Sequence, residues 1–292
     1  MGSRYTFGVM LALAGGLCLS TAGVLLRHIE SADGWQILFF RAVGFCITIF
    51  LVVLYRNGRN TARVFVAVGG RGVVAAIVLG LGSVAYIYAI LLTSVANAVF
   101  IIGTSPLWTA LLAWIFLKER ASTLSLIAMF LALAGIGLMF QDGINSGSLT
   151  GAIIALGVAL SYAVYLLIVR EAKGIDMSPV ISICGLFTAL LAYFMADSLT
   201  IPTGDLAIAI FLGVVQFSGG FLLLTISARY IPAGEVALFS LSEAILAPTW
   251  VWLVVNETPS DLTLIGAVIV SVAVVGYSLI SILSARRENN GN

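Results

Sequence analysis

Long stretches without a charged side chain recur along the whole of this chain, separated by short polar joints. A helix crossing a bilayer needs about 20 apolar residues. Runs of that size predict ten spans, at 5–26, 35–55, 72–91, 95–117, 122–140, 149–169, 177–196, 206–228, 233–255 and 262–284. The run from Gly72 to Leu117 carries no charge over 46 residues, too long for one helix, and it divides at Leu92-Thr93-Ser94. The alternating segments of a transmembrane β-barrel are absent, and an unbroken apolar run in lipid forms helix. Tyr5 to Leu26 exceeds the roughly 7–15 apolar residues of a secretory signal and reads as a retained first span. The expected fold is an all-α membrane protein of ten transmembrane helices, with nothing long enough left over for a soluble domain.

Composition agrees. Of 292 residues, 61% are hydrophobic and 9% charged, against about 45–50% and about 25% in an ordinary soluble domain. The net charge of +1 leaves no basic footprint for nucleic acid. Cys18, Cys46 and Cys184 lie inside apolar runs, and His28 is the single histidine. No HExxH, Cys/His cluster or GxxxxGK[ST] loop is present, so neither a metal, a cofactor nor P-loop ATP hydrolysis is expected. An intramembrane enzyme lacks its catalytic constellation here, and a channel lacks a filter sequence or charged ring.

The cations set an orientation. With the N-terminus in the cytoplasm, all but Arg27 and Arg41 of the 14 Lys and Arg fall in inside segments. These are Arg4, Arg56, Arg59, Arg63, Arg71, Lys118, Arg120, Arg170, Lys173, Arg229, Arg286 and Arg287. The outside segments are acidic, with Glu30, Asp33, Asp142, Asp197, Asp205, Glu257 and Asp261. The positive-inside rule therefore predicts cytoplasmic N- and C-termini and a multi-pass protein of the cytoplasmic (inner) membrane.

A weak internal repeat follows at an offset of 138 residues. Trp114 pairs with Trp252, Glu119 with Glu257, Ser122 with Ser260, Leu124 with Leu262, Leu126 with Leu264 and Ile127 with Ile265. Five helices per copy is an odd number, so the second copy enters the membrane upside down. Two inverted five-helix repeats result, over 1–142 and 143–292. Such repeats around a midplane site characterise secondary transporters.

Each fourth helix ends in an apolar–Glu turn, Phe116-Leu117-Lys118-Glu119 and Val254-Val255-Asn256-Glu257. Together with Ser105-Pro106-Leu107, Ser242-Glu243 and Phe39-Phe40-Arg41, these turns resemble the EamA-type family of the drug/metabolite transporter superfamily. One departure is that members commonly place proline directly after the ninth-helix glutamate, where Ala244 stands here, with Pro248 following later. The resemblance implies ATP-independent movement of amino acids or other small metabolites, with export the commoner direction. A carrier of lipophilic cations, drugs or lipids is the alternative. The implied partners are a small-molecule substrate, the lipid bilayer and a coupling proton; monomer and homodimer both stay open.

Ionisable residues inside the hydrocarbon are the leading site candidates, because even lenient scales charge about 2.5–3.5 kcal/mol for one at a helix centre. Arg41 and Glu243 qualify. At about 1.5 Å of rise per residue their depths differ by roughly 6 Å, so they can hold the two ends of a zwitterion, with Glu243 also the candidate carrier of a coupling proton. A plain ion pair locking the helices is the competing reading. Asn97, Thr104 and Trp108 share a face of span four, answered in span nine by Phe239 and Ser242; with Ser105 they are candidate cavity lining. Tyr86, Tyr162, Tyr165 and Gln216 are the further buried candidates. Pro106 and Pro248 are candidate gating hinges. Glu235 lies near the cytoplasmic end of span nine, where it is expected to be solvated.

Overall fold

The computed structural model describes residues 2–26, 28–92, 95–139, 149–172, 174–255 and 261–290, and among these every regular element is helical. The chain opens with α1 (Gly2–Leu19), α2 (Ala22–Leu26), α3 (Gly34–Asn57), the short α4 (Thr61–Ala67), α5 (Gly69–Leu92), α6 (Val95–Ile102) and α7 (Ser105–Leu112). It continues with α8 (Thr123–Met139), α9 (Leu149–Glu171), α10 (Pro179–Met195), α11 (Thr203–Phe211) and α12 (Ser218–Ser227). α13 (Ala233–Ser240), α14 (Ser242–Val255) and α15 (Asp261–Asn290) complete it. π-Helical turns over Ala113–Leu117 and Leu212–Phe217 extend α7 and join α11 to α12.

Among the described residues six stretches are long and apolar enough to cross a bilayer: Arg4–Leu26, Gly34–Ala67, Gly69–Ala89, Phe100–Leu117, Leu149–Glu171 and Thr203–Ser227. Thr123–Leu138, Pro179–Met195 and Leu264–Ile280 are shorter apolar helices. Large apolar side chains such as Met10, Phe116, Phe130, Phe194 and Val268 face outward, as they do where the solvent is lipid. The protein is a multi-pass membrane protein.

Local chemistry starts the helices. Asp33 accepts the N–H groups of Trp35 and Gln36, while the Gln36 carbonyl oxygen accepts the Asp33 N–H, a capping box at the head of α3. Pro179 opens α10 and Pro106 lies in the first turn of α7, where a missing N–H costs no intrahelical bond.

α5 packs along α9, and α12 along α1. α3 lies between α10 and the α11–α12 unit, α8 pairs with α15, and α7 with α13. Close approach is bought by small residues: a Cβ on Gly15 would stand 3.1 Å from the Gly220 carbonyl oxygen. The glycine pairs of α1 and α12 thus serve helix contact rather than unwinding.

The two ends of the bundle differ. At the basic end Arg71 bonds Glu171 at 2.7 Å and Arg170 bonds Glu119 at 2.9 Å. Arg229 there bonds Asp176 at 2.8 Å. Burial works against the Asp176 charge, but the Ser178 hydroxyl and N–H and the Arg229 guanidinium win and hold its carboxyl below the usual range. At the other end Asp205 accepts the backbone N–H groups of Glu30, Ser31 and Ala32, tying the α2–α3 connection to the head of α11.

Candidate functional site

Two helical rods break at matching places. α6 ends at Ile102 and α13 at Ser240, positions that correspond at the 138-residue offset. Tight i→i−3 backbone bonds close both breaks. Thr104 N–H reaches Ile101 C=O at 3.0 Å, and Leu241 N–H reaches Leu238 C=O at 3.1 Å. The sequence placed the first hinge at Pro106, but the interruption precedes it at Gly103-Thr104. The second hinge is displaced too: α14 runs through position 248, and the break falls at Leu241. The side chains of Pro248 and Asn97 lie outside the described residues.

Glu243 opens α14 beside the second break. Gly16 of α1 makes room there, since a Cβ on it would fall 2.0 Å from Ser242 Oγ and 3.4 Å from Glu243 N. Among the described residues no donor bonds the Glu243 carboxylate. Arg41, buried in α3, reaches only Gln216 Oε1, at 3.4 Å, and lies 4.8 Å over the Phe217 ring. Its Nε is buried with no partner. The plain ion pair between Arg41 and Glu243 is therefore not formed. Tyr86 of α5 lies within electrostatic reach of both charges, and Tyr162 of α9 within reach of Glu243.

Gln216 also donates to the Leu19 carbonyl at 3.4 Å, where α1 ends. Tyr162 donates to Ser240 Oγ at 3.3 Å. Arg41, Gln216, Tyr86, Tyr162, Ser242 and Glu243 thus form one connected group beside the second break. Thr104 and Trp108 are half-buried with their polar atoms engaged: the Thr104 hydroxyl accepts the Trp108 indole N–H at 3.0 Å and donates to the Ile101 carbonyl at 2.6 Å. Ser105 is buried in the first turn of α7. Two expected lining residues prove to be core. Phe239 is fully buried against Tyr277, and Tyr165 is fully buried with its hydroxyl bonded to Thr225. An apolar helix with no polar stripe gives no sign of which face is packed.

An aromatic column was missed by sequence reasoning. Phe45, Phe217 and Phe221 stack at 4.3 Å spacings beneath Arg41, and Phe221 meets Tyr162 edge-on at 6.0 Å. The i, i+4 spacing of Phe217 and Phe221 was the available signal.

Glu235 is not solvated as expected. It is half-buried and accepts the hydroxyls of Tyr5 at 2.5 Å and Tyr277 at 2.9 Å, tying α1 and α15 to α13. Arg170 clamps the same end through Glu119 and the Ala228 carbonyl. Next to Glu235, Gly234 sits so close to α7 that a Cβ would be 3.2 Å from that of Ala110. On the far side of the breaks α6 packs on α9, and α14 on α1, α2 and α15.

The profile of the EamA-like transporter family matches residues 6–141 and, a second time, residues 149–279. The chain belongs to this family. Solute carrier family 35 member G1 of Mus musculus is 26% identical over 294 residues, covering 93% of this chain and 78% of that protein. The transporter YwfM of Bacillus subtilis (strain 168) is 25% identical over 248 residues, covering 82% of this chain and 73% of its own. A solved crystal structure superposes with a TM-score of 0.77 at 16% identity, over 96% of this chain and 98% of its own, which is a likeness of fold. As an EamA-like transporter, the protein works on a small-molecule solute in a lipid membrane.

Proposed function

We propose that the protein is a secondary carrier that moves a small zwitterionic metabolite, an amino acid or a close relative, across the cytoplasmic membrane by alternating access. The carrying observation is the unpaired Glu243 carboxylate at the helix break, with the under-satisfied Arg41 guanidinium sharing its tyrosine neighbour. Buried charges in membranes are ordinarily paired. A solute carrying a carboxylate for Arg41 and an ammonium for Glu243 supplies both missing partners, with Tyr86 and Tyr162 between them. Glu243 then also serves as the carrier of a coupling proton when the solute leaves. A guanidinium at the site repels a lipophilic cation, which favours the metabolite reading. Export is the direction the family resemblance carries.

Two inverted five-helix repeats, 1–142 and 143–292, support alternating access. The packing pairs are those of a two-fold: exchanging the halves turns α5 on α9 into α12 on α1 and leaves α3 with α10, α8 with α15 and α7 with α13 unchanged. Broken helices at a midplane site are a recurrent transporter device. With the basic end in the cytoplasm, the contacts around Glu235, Arg170 and Ala110–Gly234 close the cytoplasmic side of the bundle. Thiol reagents should reach a cysteine at Asn145 from outside and one at Asn57 only from inside; the reverse pattern would overturn the orientation.

Counterflow into proteoliposomes tests the central reading, using labelled aromatic and aliphatic amino acids and one lipophilic cation. Saturable amino-acid exchange is expected in the parent. In Glu243→Gln it should fall by on the order of 10²-fold, the value of a lost charge-assisted contact of about 2–3 kcal/mol. Undiminished exchange by a well-folded Glu243→Gln protein would remove Glu243 from the site.

A further inference from the structure

Between α3 and α5 the chain makes an elbow outside the candidate site. Gly58 and Gly69 stand at either side of it with φ of 51° and 60°, left-handed conformations that favour glycine. Between them α4 lies against the bundle. Thr61 is buried and bonds the Gly58 carbonyl at 2.7 Å, Val64 and Phe65 pack on the core, and Phe65 meets the Phe50 ring at 5.9 Å. The opposite face carries Arg63 and Val66, continued along the turn by Arg59, Arg56 and Tyr55. Tyr55 is 93% exposed and Val66 79%.

Two of the charges on this face are uncompensated among the described residues. Residues 34–118 contain no Asp or Glu. Arg71 has Glu171, and Arg56 lies within electrostatic reach of Asp176. Arg59 and Arg63 have no carboxylate partner among the described residues. A short helix with an apolar inner face and exposed arginines beside an aromatic and an aliphatic residue has the composition of an interfacial segment. Its place at the end of the α3 span puts it at the bilayer surface.

We propose that the α3–α4 elbow is a binding site for the headgroup of an anionic phospholipid in the leaflet at the basic end. Arg59 and Arg63 hold the phosphate, while Tyr55 and Val66 enter the boundary between headgroups and acyl chains. Each arginine at an anionic surface contributes about fivefold in affinity, so the two together contribute roughly 25-fold. Which leaflet this is depends on the cytoplasmic assignment of the basic end, and the Asn57/Asn145 labelling decides that separately.

Native mass spectrometry of the full-length protein in detergent, titrated with phosphatidylglycerol or phosphatidylcholine, tests the site. Arg59→Gln/Arg63→Gln should bind phosphatidylglycerol roughly 25-fold more weakly, with phosphatidylcholine binding and thermal stability unchanged. Inorganic phosphate at equal concentration should not displace the lipid; displacement would make this a site for a free anion. Arg4→Gln/Arg120→Gln removes the same charge from two other exposed positions and should leave phosphatidylglycerol binding intact. Equal loss in both double variants, or equal retention of the two lipids by the parent, would overturn the proposal.

Discussion

Replacing Glu235 by alanine should open the basic end of the bundle. Its carboxylate accepts hydroxyls from Tyr5 and Tyr277, so one side chain fastens three helices where α7 and α13 close together. A hydrogen bond to a charged acceptor is worth about 1.5–3 kcal/mol. Losing two costs about 3–6 kcal/mol if both are absent from the open state. Even the lower figure shifts a closed-to-open equilibrium by on the order of 10²-fold. The reporter is a cysteine at Ala237, buried two residues further along α13, in a background without Cys18, Cys46 and Cys184. Its labelling from the basic side should accelerate by about that factor. Glu235→Gln keeps an oxygen for one tyrosine and should fall between. The Arg170 clamp to Glu119 and Ala228 stays in place, so the fold should survive. Labelling as slow as in the parent, at unchanged thermal stability, would deny Glu235 any part in closure.

The all-helical membrane character and the two charges within apolar runs were legible because each stands out against its surroundings: long charge-free runs, and Arg41 and Glu243 inside two of them. Pro106 marked one helix break to within a few residues. Nothing in Phe239-Ser240-Leu241-Ser242 marks the other, which contains neither proline nor glycine. Its room comes from Gly16, more than 200 residues away. The same kind of distance hid Glu235. Counting residues from the end of its helix places it in water, while Tyr5 and Tyr277, 230 and 42 residues off in sequence, fold over it. Tyr5 had the position of an interfacial anchor, and only the packing of α1 on α13 gives it a partner. The packed faces of spans six and nine were illegible for a different reason. When lipid and protein core are equally apolar, hydrophobicity no longer distinguishes them, so Phe239 and Tyr165 resembled cavity lining as much as core.

Substituting Gly213 should disturb the site from behind. It lies in the π-helical turn Leu212–Phe217, where a Cβ would stand 2.2 Å from the Arg41 carbonyl oxygen and 3.1 Å from Phe45 N. Both are backbone atoms, so no side chain can swing aside. From α3 the fit is nearly as tight, a Cβ on Gly44 being 3.2 Å from the Ile210 carbonyl oxygen. This backbone-to-backbone approach sets Arg41 over Phe217 and within reach of Gln216, four and three residues further along. Gly213→Ala must part α3 from the α11–α12 unit, an overpacking cost of about 1–3 kcal/mol or somewhat more. It should lower the unfolding temperature in detergent and, on the zwitterion proposal, weaken binding of the solute's acidic end. Gly157→Ala is the control. A Cβ there meets nothing within 4 Å, and alanine in a helix is favoured over glycine by about 0.5–1 kcal/mol, so that variant should be neutral or slightly stabilised. If the two substitutions behave alike, α3 and the π-turn are not in contact, and the placement of Arg41 that depends on their contact fails with it.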